Sequence, residues 1–266
     1  MSSYGQLESR VIVIIGGTTG LGLSAAHACL ASGAAGVVVT GRNPDSAEAA
    51  RAALGPNADA LVGNAIDGAH AEQAIDLAIE RFGRFDALYH VAGGSGRKLG
   101  DGPLHEVTDE GIDATLSLNL GSMIRSNRAA VRRFLQDGGG GSILNMGSVL
   151  GWSPSPEYFT THVYAAAKAA VIGFTKSIAA RYAPQNIRAN VLATALVETP
   201  MARRAAGDEE ILAFIHTKQP LDGGRIGRPS DLDAAAVYFL SPGSAFTTGQ
   251  VLAVDGGWEV SEGQLR

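Results

Sequence analysis

The stretch Val11-Ile-Val-Ile-Ile15, followed by Gly16-Gly-Thr-Thr-Gly20-Leu-Gly22, decides the fold of this 266-residue chain. Five consecutive apolar, β-branched residues are typical of a strand covered on both faces, and so of a parallel sheet. A helical stretch over 23–31 follows the glycines. Glycine-rich loops also occur as plain tight turns, but a strand before and a helix after favour a phosphate cradle, because free N–H groups at a helix N-terminus attract anions.

Strand-like and helix-like segments alternate along the rest of the chain. Further strands are predicted over 37–40, 60–62, 86–91 and 142–146, and helices over 45–54, 71–82, 112–136 and 164–182. No internal repeat, low-complexity tract or linker divides the sequence. The alternation predicts one α/β domain over 1–266, built on a doubly wound parallel sheet with right-handed crossovers.

The composition excludes several classes of function. A net charge of −5 and a pI near 5.7 argue against a nucleic acid or an anionic membrane as partner. No apolar run approaches the roughly 18 residues needed to span a bilayer, so we expect a cytoplasmic protein. The single cysteine, Cys29, excludes an intramolecular disulfide, and the six histidines are scattered, so we expect no metal site.

The segment Tyr164-Ala-Ala-Ala-Lys168 carries the clearest candidate chemistry. Residues four apart lie on one face of a helix, so the Tyr164 hydroxyl and the Lys168 ammonium can reach the same small volume. A neighbouring cation favours the phenolate, which suits the pair to proton transfer. The same spacing also occurs on ordinary amphipathic surface helices.

Two further polar residues occupy positions where ligands bind in such folds. Ser148 follows a predicted strand, and the carboxyl ends of parallel strands face the ligand crevice of open α/β sheets. Asn119 lies on the apolar face of the long predicted helix, where its amide needs partners. Each also has a structural interpretation: Ser148 caps a turn, and neighbouring backbone satisfies Asn119.

Taken together, eight short motifs resemble the short-chain dehydrogenase/reductase family over nearly the whole chain. They are Gly16-x-x-x-Gly20-x-Gly22, Ala92-Gly93-Gly94, Leu118-Asn119-Leu120-Gly121, Asn145-Met-Gly-Ser148, Tyr164-x-x-x-Lys168, Arg188-Ala-Asn190-Val191, Arg225-Ile-Gly-Arg-Pro229-x-Asp231 and Thr248-Gly-Gln-Val-Leu-Ala-Val-Asp255-Gly-Gly257. The resemblance implies a seven-stranded Rossmann sheet with helices on both faces. It also implies hydride transfer between NAD(P)(H) and a carbonyl or secondary alcohol.

The resemblance also implies roles for individual residues. Tyr164 becomes the acid/base, and Ser148 hydrogen-bonds the substrate oxygen. Lys168 binds the nicotinamide ribose and lowers the Tyr164 pKa, while Asn119 holds a water that links Lys168 to solvent. The implied cofactor contacts are Gly16, Thr18, Thr19, Gly20, Leu21, Gly22, Gly41, Arg42, Asn64, Ala65, Ala92, Gly93, Gly94, Tyr164, Lys168, Thr194, Ala195, Val197 and Thr199. His90-Val91 departs from the two asparagines usual in the family, so His90 is a candidate to brace the central strand instead.

The end of the second predicted strand bears on the choice of dinucleotide. An NAD-selective site places a carboxylate there, which would repel a 2′-phosphate. This chain has Gly41, expected to leave open space, followed by Arg42, whose planar guanidinium suits phosphate. We therefore expect NADP, with NAD as the alternative because the glycine loop contains no basic residue.

Substrate, assembly and competing functions complete the expectations. Trp152, Tyr158 and Phe159 either line the substrate pocket together with Ser148 or only pack their loop, and 198–218 resembles the family's mobile lid. The helices over 112–136 and 164–182 are expected to pair with their copies in a homotetramer or homodimer. The competing functions are a non-catalytic dinucleotide sensor or scaffold and, disfavoured by the lack of a sizeable C-terminal substrate domain, a sugar-nucleotide epimerase or dehydratase.

Overall fold

Strand β1 (Val11–Ile15) is buried along its whole length near the middle of a parallel sheet. The computed structural model describes residues 7–263, and within them the sheet has seven strands in the order β3-β2-β1-β4-β5-β6-β7. The other strands are β2 (Gly36–Gly41), β3 (Ala58–Val62), β4 (Ala87–His90), β5 (Gly141–Ser148), β6 (Ile187–Thr194) and β7 (Val251–Val254). The predicted doubly wound α/β fold is confirmed.

Helices cover both faces of this sheet. They are α1 (Gly20–Ala31), α2 (Pro44–Leu54), α3 (His70–Phe82), α4 (Asp109–Leu116), α5 (Ser122–Asp137), α6 (His162–Tyr182), α7 (Arg203–Ala206), α8 (Glu209–Lys218) and α9 (Asp233–Leu240). Ile12 and Ile14 of β1 pack in a core with α1, α2 and α9, whereas Val11, Val13 and Ile15 pack in a second core with α3, α5 and α6. Because alternate side chains of β1 enter two different cores, the strand contains no polar residue.

The helix predicted over 112–136 is not continuous. A π-helical segment, Ser117–Gly121, separates α4 from α5. Asn119 lies in this wider turn, where its Nδ2 donates to the carbonyl of Thr115 at 3.0 Å and to that of Gly94 at 2.9 Å. A side chain that bonds to nearby backbone competes with the regular helical pattern, and π turns of this kind occur frequently at functional sites. A one-face hydrophobic pattern does not reveal such an inserted turn.

The glycines after β1 are required by close backbone approaches. Gly16 has a φ of +87°, and a Cβ there would lie 2.6 Å from the Ala92 nitrogen. A Cβ on Gly22 would lie 2.3 Å from the Gly16 carbonyl oxygen. The strand order reverses between β1 and β4, which places a crevice at the carboxyl ends of these two strands.

Helix α6 is only partly covered by the rest of the chain. Its inner face carries Ala167, Lys168, Val171, Thr175 and Ala179. The outer face, with the small residues Ala166, Ala169, Ala170 and Gly173, is exposed. The expectation that no apolar run approaches the length needed to span a bilayer is wrong, because by length and composition alone His162–Gln185 is apolar enough to cross one, a test that the core helix of a soluble protein also passes.

Candidate active site

A cavity of about 650 Å³ opens at the carboxyl ends of β1, β2, β4, β5 and β6. Every residue that the sequence implies as a cofactor contact lines it, except Gly22. Ser148, Tyr164 and Lys168 line the same cavity, whereas Asn119 does not. Gly22 instead lets α1 approach the turn after β1, so its contribution is to helix packing.

The glycine turn has the features of an anion cradle. Helix α1 begins at Gly20, and the preceding Thr19 makes no side-chain hydrogen bond to the helix. The first turn of α1 contains no acidic residue. Its backbone N–H groups therefore remain available to a ligand, and the helix dipole favours a negative charge at this end. A dinucleotide pyrophosphate fits this donor set.

The end of β2 is more crowded than expected. A Cβ on Gly41 would lie 2.1 Å from Thr18 Oγ1 and 2.7 Å from Thr18 Cγ2. The expectation of open space at Gly41 is therefore wrong, because the Thr18 side chain fills it. Arg42 is exposed, lines the cavity and forms no ion pair with any residue in 7–263. Its guanidinium is thus available to an anionic group at this end of the cavity.

The three groups with candidate chemistry come from β5 and α6. Ser148 is the last residue of β5, and Tyr164 and Lys168 lie one turn apart on α6. Lys168 Nζ donates to the Met146 carbonyl at 2.8 Å and lies 5.6 Å from the centroid of the Tyr164 ring. Burial lowers the pKa of Lys168 to about 8. A lysine has three donors, so this ammonium retains hydrogen-bonding capacity for a ligand.

The Tyr164 phenol behaves differently from the expectation. Burial raises its pKa, and the neighbouring Ser148 hydroxyl partly offsets that rise. Lys168 is not among the causes of this shift; its ammonium lies 5.6 Å from the centroid of the Tyr164 ring and donates to the Met146 carbonyl. The lowering of the Tyr164 pKa by Lys168 is therefore not seen in the protein alone. The phenol is protonated at neutral pH.

Asn119 is buried behind the cavity wall. Its Oδ1 accepts a hydrogen bond from the Gly94 nitrogen at 3.0 Å, so the side chain is paired with the Gly94 backbone in both directions. Asn119 Nδ2 donates to the Gly94 carbonyl and to the Thr115 carbonyl, so neither of its two N–H bonds is left for a water. The side chain thus fastens the loop after β4 to the π-helical segment, as the structural interpretation of Asn119 anticipates.

His90 occupies the family's asparagine position at the end of β4. Its Nδ1 lies 2.8 Å from Ser126 Oγ, and its Nε2 lies 3.2 Å from Ser122 Oγ. Burial, reinforced by the positive charge of Lys168, lowers the pKa of His90 to about 3. A neutral imidazole therefore ties the central strand to the start of α5, which is the bracing role anticipated for this residue.

Sequence reasoning missed a carboxylate that holds the start of α6. Asp101 is buried, and its two oxygens accept hydrogen bonds from the backbone nitrogens of Val163 at 3.1 Å and Tyr164 at 2.8 Å. Thr161, at the N-cap position of α6, makes no capping bond. Asp101 thus satisfies two unpaired N–H groups at the start of α6 and fixes the backbone of Tyr164. No local motif around Gly100-Asp101-Gly102 signals this contact.

The aromatic wall of the cavity is made by Phe159 and Trp258. Their rings meet edge to face at 5.7 Å, and the Trp258 indole nitrogen donates to the Ser153 carbonyl. Trp152 and Tyr158 do not line the cavity. They pack instead in the apolar cluster that also contains Phe159 and Trp258, where Tyr158 lies 5.2 Å from the Phe214 ring. The assignment of these two residues to the pocket is corrected, and Trp258 is added.

A Rossmann sheet with a phosphate-binding turn and a Ser-Tyr-Lys set at its switch point defines the class of nicotinamide-dependent oxidoreductases. A family model described as enoyl-(acyl carrier protein) reductase matches residues 16–259. The chain is 34% identical to oxidoreductase asL5 of Sarocladium schorii (97% of this chain, 98% of the relative) and 33% identical to momilactone A synthase of Oryza sativa subsp. japonica (96% and 92%). The crystal structure of a gluconate 5-dehydrogenase from Burkholderia cenocepacia J2315, in complex with NADP and tartrate, superposes with a TM-score of 0.86 at 32% identity (97% of this chain, 98% of that chain). The chain belongs to the short-chain dehydrogenase/reductase family. The relatives and solved structures that it resembles are oxidoreductases acting on carbonyl and alcohol groups.

Proposed function

We propose that this protein is an NADP(H)-dependent carbonyl reductase or alcohol dehydrogenase with Tyr164 as the acid/base. The observation that carries the proposal is the convergence of Ser148, Tyr164 and Lys168 in the same cavity as the glycine turn. One end of this cavity offers helix N–H groups to a pyrophosphate, and the other end offers hydroxyls to a substrate oxygen. A non-catalytic dinucleotide sensor requires neither hydroxyl.

Each residue has a definite task in this proposal. A nicotinamide cofactor bound in the cavity supplies or takes up the hydride. Ser148 donates a hydrogen bond to the substrate oxygen and holds it near the Tyr164 hydroxyl. Lys168, with donors left after its bond to Met146, binds the ribose hydroxyls and keeps a positive charge beneath the reacting groups. Asp101 and Asn119 act through the backbone: the first fixes Tyr164, and the second fixes Gly94.

Tyr164 is protonated in the protein without a bound cofactor, which suits it to the reduction of a carbonyl. As hydride reaches the carbonyl carbon, the oxygen gains negative charge and needs a proton. A phenol whose pKa is raised by burial still carries that proton at neutral pH. Tyr164 therefore serves as the general acid, and bulk solvent restores its proton after product leaves. Oxidation of an alcohol requires the phenolate, which the positive charge of an oxidised nicotinamide stabilises.

The choice of NADP rests on the end of β2. The part of the cavity at β2 contains no carboxylate to accept bonds from both ribose hydroxyls, and Arg42 lies there without an ion pair in the described chain. A charge-assisted hydrogen bond contributes about 1.5 to 3 kcal/mol, so Arg42→Ala should weaken NADPH binding about ten- to hundredfold and leave NADH nearly unchanged. Fluorescence titration with both dinucleotides measures this difference. An unchanged NADPH affinity would remove Arg42 from the site.

The crowding at Gly41 provides a sharper test of the same assignment. Gly41→Asp alone should weaken both dinucleotides, because its Cβ meets the Thr18 side chain. Adding Thr18→Ala removes the atoms at 2.1 and 2.7 Å and leaves the Thr18 Cβ at 3.0 Å from the new side chain. The double variant should then prefer NADH, because the carboxylate pairs with the ribose hydroxyls and repels a 2′-phosphate.

Turnover itself is tested by loss of NADPH absorbance against a panel of carbonyl compounds. Tyr164→Phe should retain NADPH affinity and lose about 10²- to 10⁴-fold in kcat, the usual contribution of a positioned proton donor. Near wild-type turnover by this variant would contradict the acid/base assignment. Tight dinucleotide binding by the wild-type protein without turnover of any panel member would support the sensor instead.

We also infer a homotetramer or homodimer, a mobile segment over 198–218 that covers the substrate, and a cytoplasmic location for the single domain. The exposed small-residue face of α6 supports the assembly, since small side chains allow two such helices to approach closely. Light scattering at micromolar concentration tests it: Ala169→Glu on that face should reduce the measured mass, and a wild-type monomer would contradict the inference.

A further inference from the structure

The charges around the cavity differ from those of the whole chain. The sequence has 26 acidic and 21 basic residues, but the described cavity lining contains no aspartate or glutamate. Five basic residues line it: Arg42, Arg97, Lys98, Lys168 and Arg204. A cleft with one sign of charge concentrates ligands of the opposite sign. The lining therefore favours anions with more cations than the phosphates of one dinucleotide end require.

The cations fall into three groups. Arg42 belongs to the dinucleotide end at β2, and Lys168 is buried beside Tyr164. The third group comprises Arg97 and Lys98, which lie in a one-turn helix, Arg97–Leu99, in the segment that follows β4, and Arg204, which lies in α7. These two arginines come from separate segments but line the same cavity as Ser148 and Tyr164. Neither has a task in the hydride-transfer chemistry described above.

The two guanidinium groups lack anionic partners in the described chain. Arg97 forms no ion pair or side-chain hydrogen bond within 7–263, and the one side-chain hydrogen bond of Arg204 there is to the Tyr158 carbonyl at 3.2 Å. Burial, followed by the positive charge of Arg204, lowers the pKa of Arg97, while Asp101 opposes this shift. The Asp101 oxygens accept hydrogen bonds from the start of α6 and form no ion pair with either arginine.

Acidic residues near Arg204 are also committed elsewhere or lie outside the cavity. Asp208 caps α8 through hydrogen bonds from the backbone nitrogens of Glu210 and Ile211. Glu157 and Glu210 act electrostatically on Tyr158, do not line the cavity and form no ion pair with Arg204. An external anion is therefore the group that the two arginines can still accommodate.

The cavity also has an apolar wall. It is lined by Leu150, Phe159, Met201, Ala205 and Trp258. Such a wall binds a hydrophobic body, whereas a pair of planar guanidinium groups binds a carboxylate or phosphate through charge-assisted hydrogen bonds. The same cavity thus combines carbonyl-binding hydroxyls, an apolar wall and cations.

We propose that the substrate is an anionic carbonyl compound, with its carbonyl at Ser148 and Tyr164, an apolar body against Phe159 and Trp258, and a carboxylate or phosphate held by Arg97 and Arg204. This assignment rests on the proposed reductase function and specifies its substrate class. The hydride goes to the carbonyl carbon and the Tyr164 proton to its oxygen, so the anionic group takes no part in the chemistry. It determines which carbonyl compound is accepted.

Matched neutral and anionic substrates test the proposal. We would compare 4-acetylbenzoate, 3-(4-acetylphenyl)propanoate and 4-acetylphenyl phosphate with the methyl esters of the two acids and with 4-methoxyacetophenone. The wild-type protein should show a kcat/KM about ten- to hundredfold higher for an anion than for its neutral match. Preference between the phosphate and the acids identifies the kind of anion. Equal rates for neutral and anionic partners across the panel would overturn the substrate assignment while leaving the reductase function intact.

Substitutions at Arg97 and Arg204 test whether these two residues cause the preference for anionic substrates. Arg97→Ala and Arg204→Ala should each lower kcat/KM for the preferred anion about ten- to hundredfold and leave the neutral match and the NADPH affinity nearly unchanged. Arg203→Ala is the matched control, because Arg203 is an exposed neighbour that does not line the cavity. An equal loss in all three variants would assign the effect to the overall charge. Weaker NADPH binding in Arg97→Ala or Arg204→Ala would assign these cations to the cofactor and contradict the proposal.

A binding measurement separates this proposal from the proposed function. Calorimetric titration of the same compounds into the NADP⁺-saturated protein does not depend on turnover. Tighter binding of the anions, lost in the Arg97→Ala/Arg204→Ala double variant, supports the anion site even if no compound is reduced. Equal binding, or no binding of any anion in the panel, overturns it.

Discussion

Lowering the pH should destabilise this protein through His90, by an amount that the structure defines. Burial lowers the pKa of His90 from 6.5 to about 3, so the folded protein takes up this proton only at strongly acidic pH, whereas the unfolded chain takes it up near 6.5. The unfolded state therefore binds more protons between these values, and the contribution to stability is complete above pH 6.5 and falls as the pH falls. Each pH unit below 6.5 costs about 1.4 kcal/mol.

At pH 5 the loss attributable to His90 amounts to about 2 kcal/mol. The same value follows for any folded-state pKa below about 4, because the folded protein then binds almost no proton at pH 5. His90→Asn removes the titrating group and keeps an amide that can bond to Ser126. The free energy of unfolding in urea should therefore fall by about 2 kcal/mol more in the wild type than in the variant between pH 7.5 and pH 5.

Both proteins must be compared at one concentration, because assembly contributes to apparent stability. His105→Asn, a change at an exposed histidine, is the control for loss of a histidine as such. Groups other than His90 titrate equally in the two proteins and cancel in the comparison. If the stability difference between wild type and His90→Asn were the same at pH 7.5 and pH 5, the buried neutral imidazole would not be the source of acid sensitivity.

Three further predictions concern the active site. Because burial lowers the Lys168 pKa to about 8, the ammonium is present below that pH, and kcat/KM should fall as the pH rises through 8. In a pH–rate profile, Lys168→Arg should move this fall to higher pH. Phe159→Ala should change kcat/KM for bulky carbonyl compounds severalfold, while Tyr158→Ala should not, since only Phe159 lines the cavity; equal effects in steady-state assays would contradict that division. Asp101→Ala should lower the free energy of unfolding by about 1 to 2 kcal/mol, because two N–H groups at the start of α6 lose their acceptor. It should also lower kcat about tenfold and leave the NADPH affinity unchanged. An unchanged kcat would limit Asp101 to a structural role.

The features that the sequence predicts correctly are those that depend on neighbouring residues. The run Val11–Ile15, the glycine turn after it and the Tyr164 to Lys168 spacing each concern a few consecutive positions, so periodicity and backbone sterics suffice to interpret them. The doubly wound parallel sheet also follows, because crossovers between parallel strands obey strong topological rules.

The features that sequence reasoning misses depend on contacts between distant segments. Asp101 binds the backbone of Tyr164 from 63 positions away, and nothing in its own loop indicates the partner. Trp152 and Trp258 each directly follow a glycine, but only the second lines the cavity. At Gly41 the missing Cβ suggests open space, and the occupant, Thr18, becomes visible only when the turn after β1 is folded against β2.

The π-helical segment Ser117–Gly121 sets the rotation of α5 about its axis relative to α4. A π turn contains one residue more than an α turn, and each helical residue advances the side chains by about 100°. On one side, Gly111 of α4 packs so closely on Gly100 that a Cβ would lie 2.5 Å from the Gly100 carbonyl carbon. On the other side, Phe134 of α5 stacks on Phe85 at 4.8 Å. A continuous α-helix through both points would turn one of these contacts away from its partner, so a single added or deleted residue in this segment changes the orientation of everything that α5 presents to the sheet.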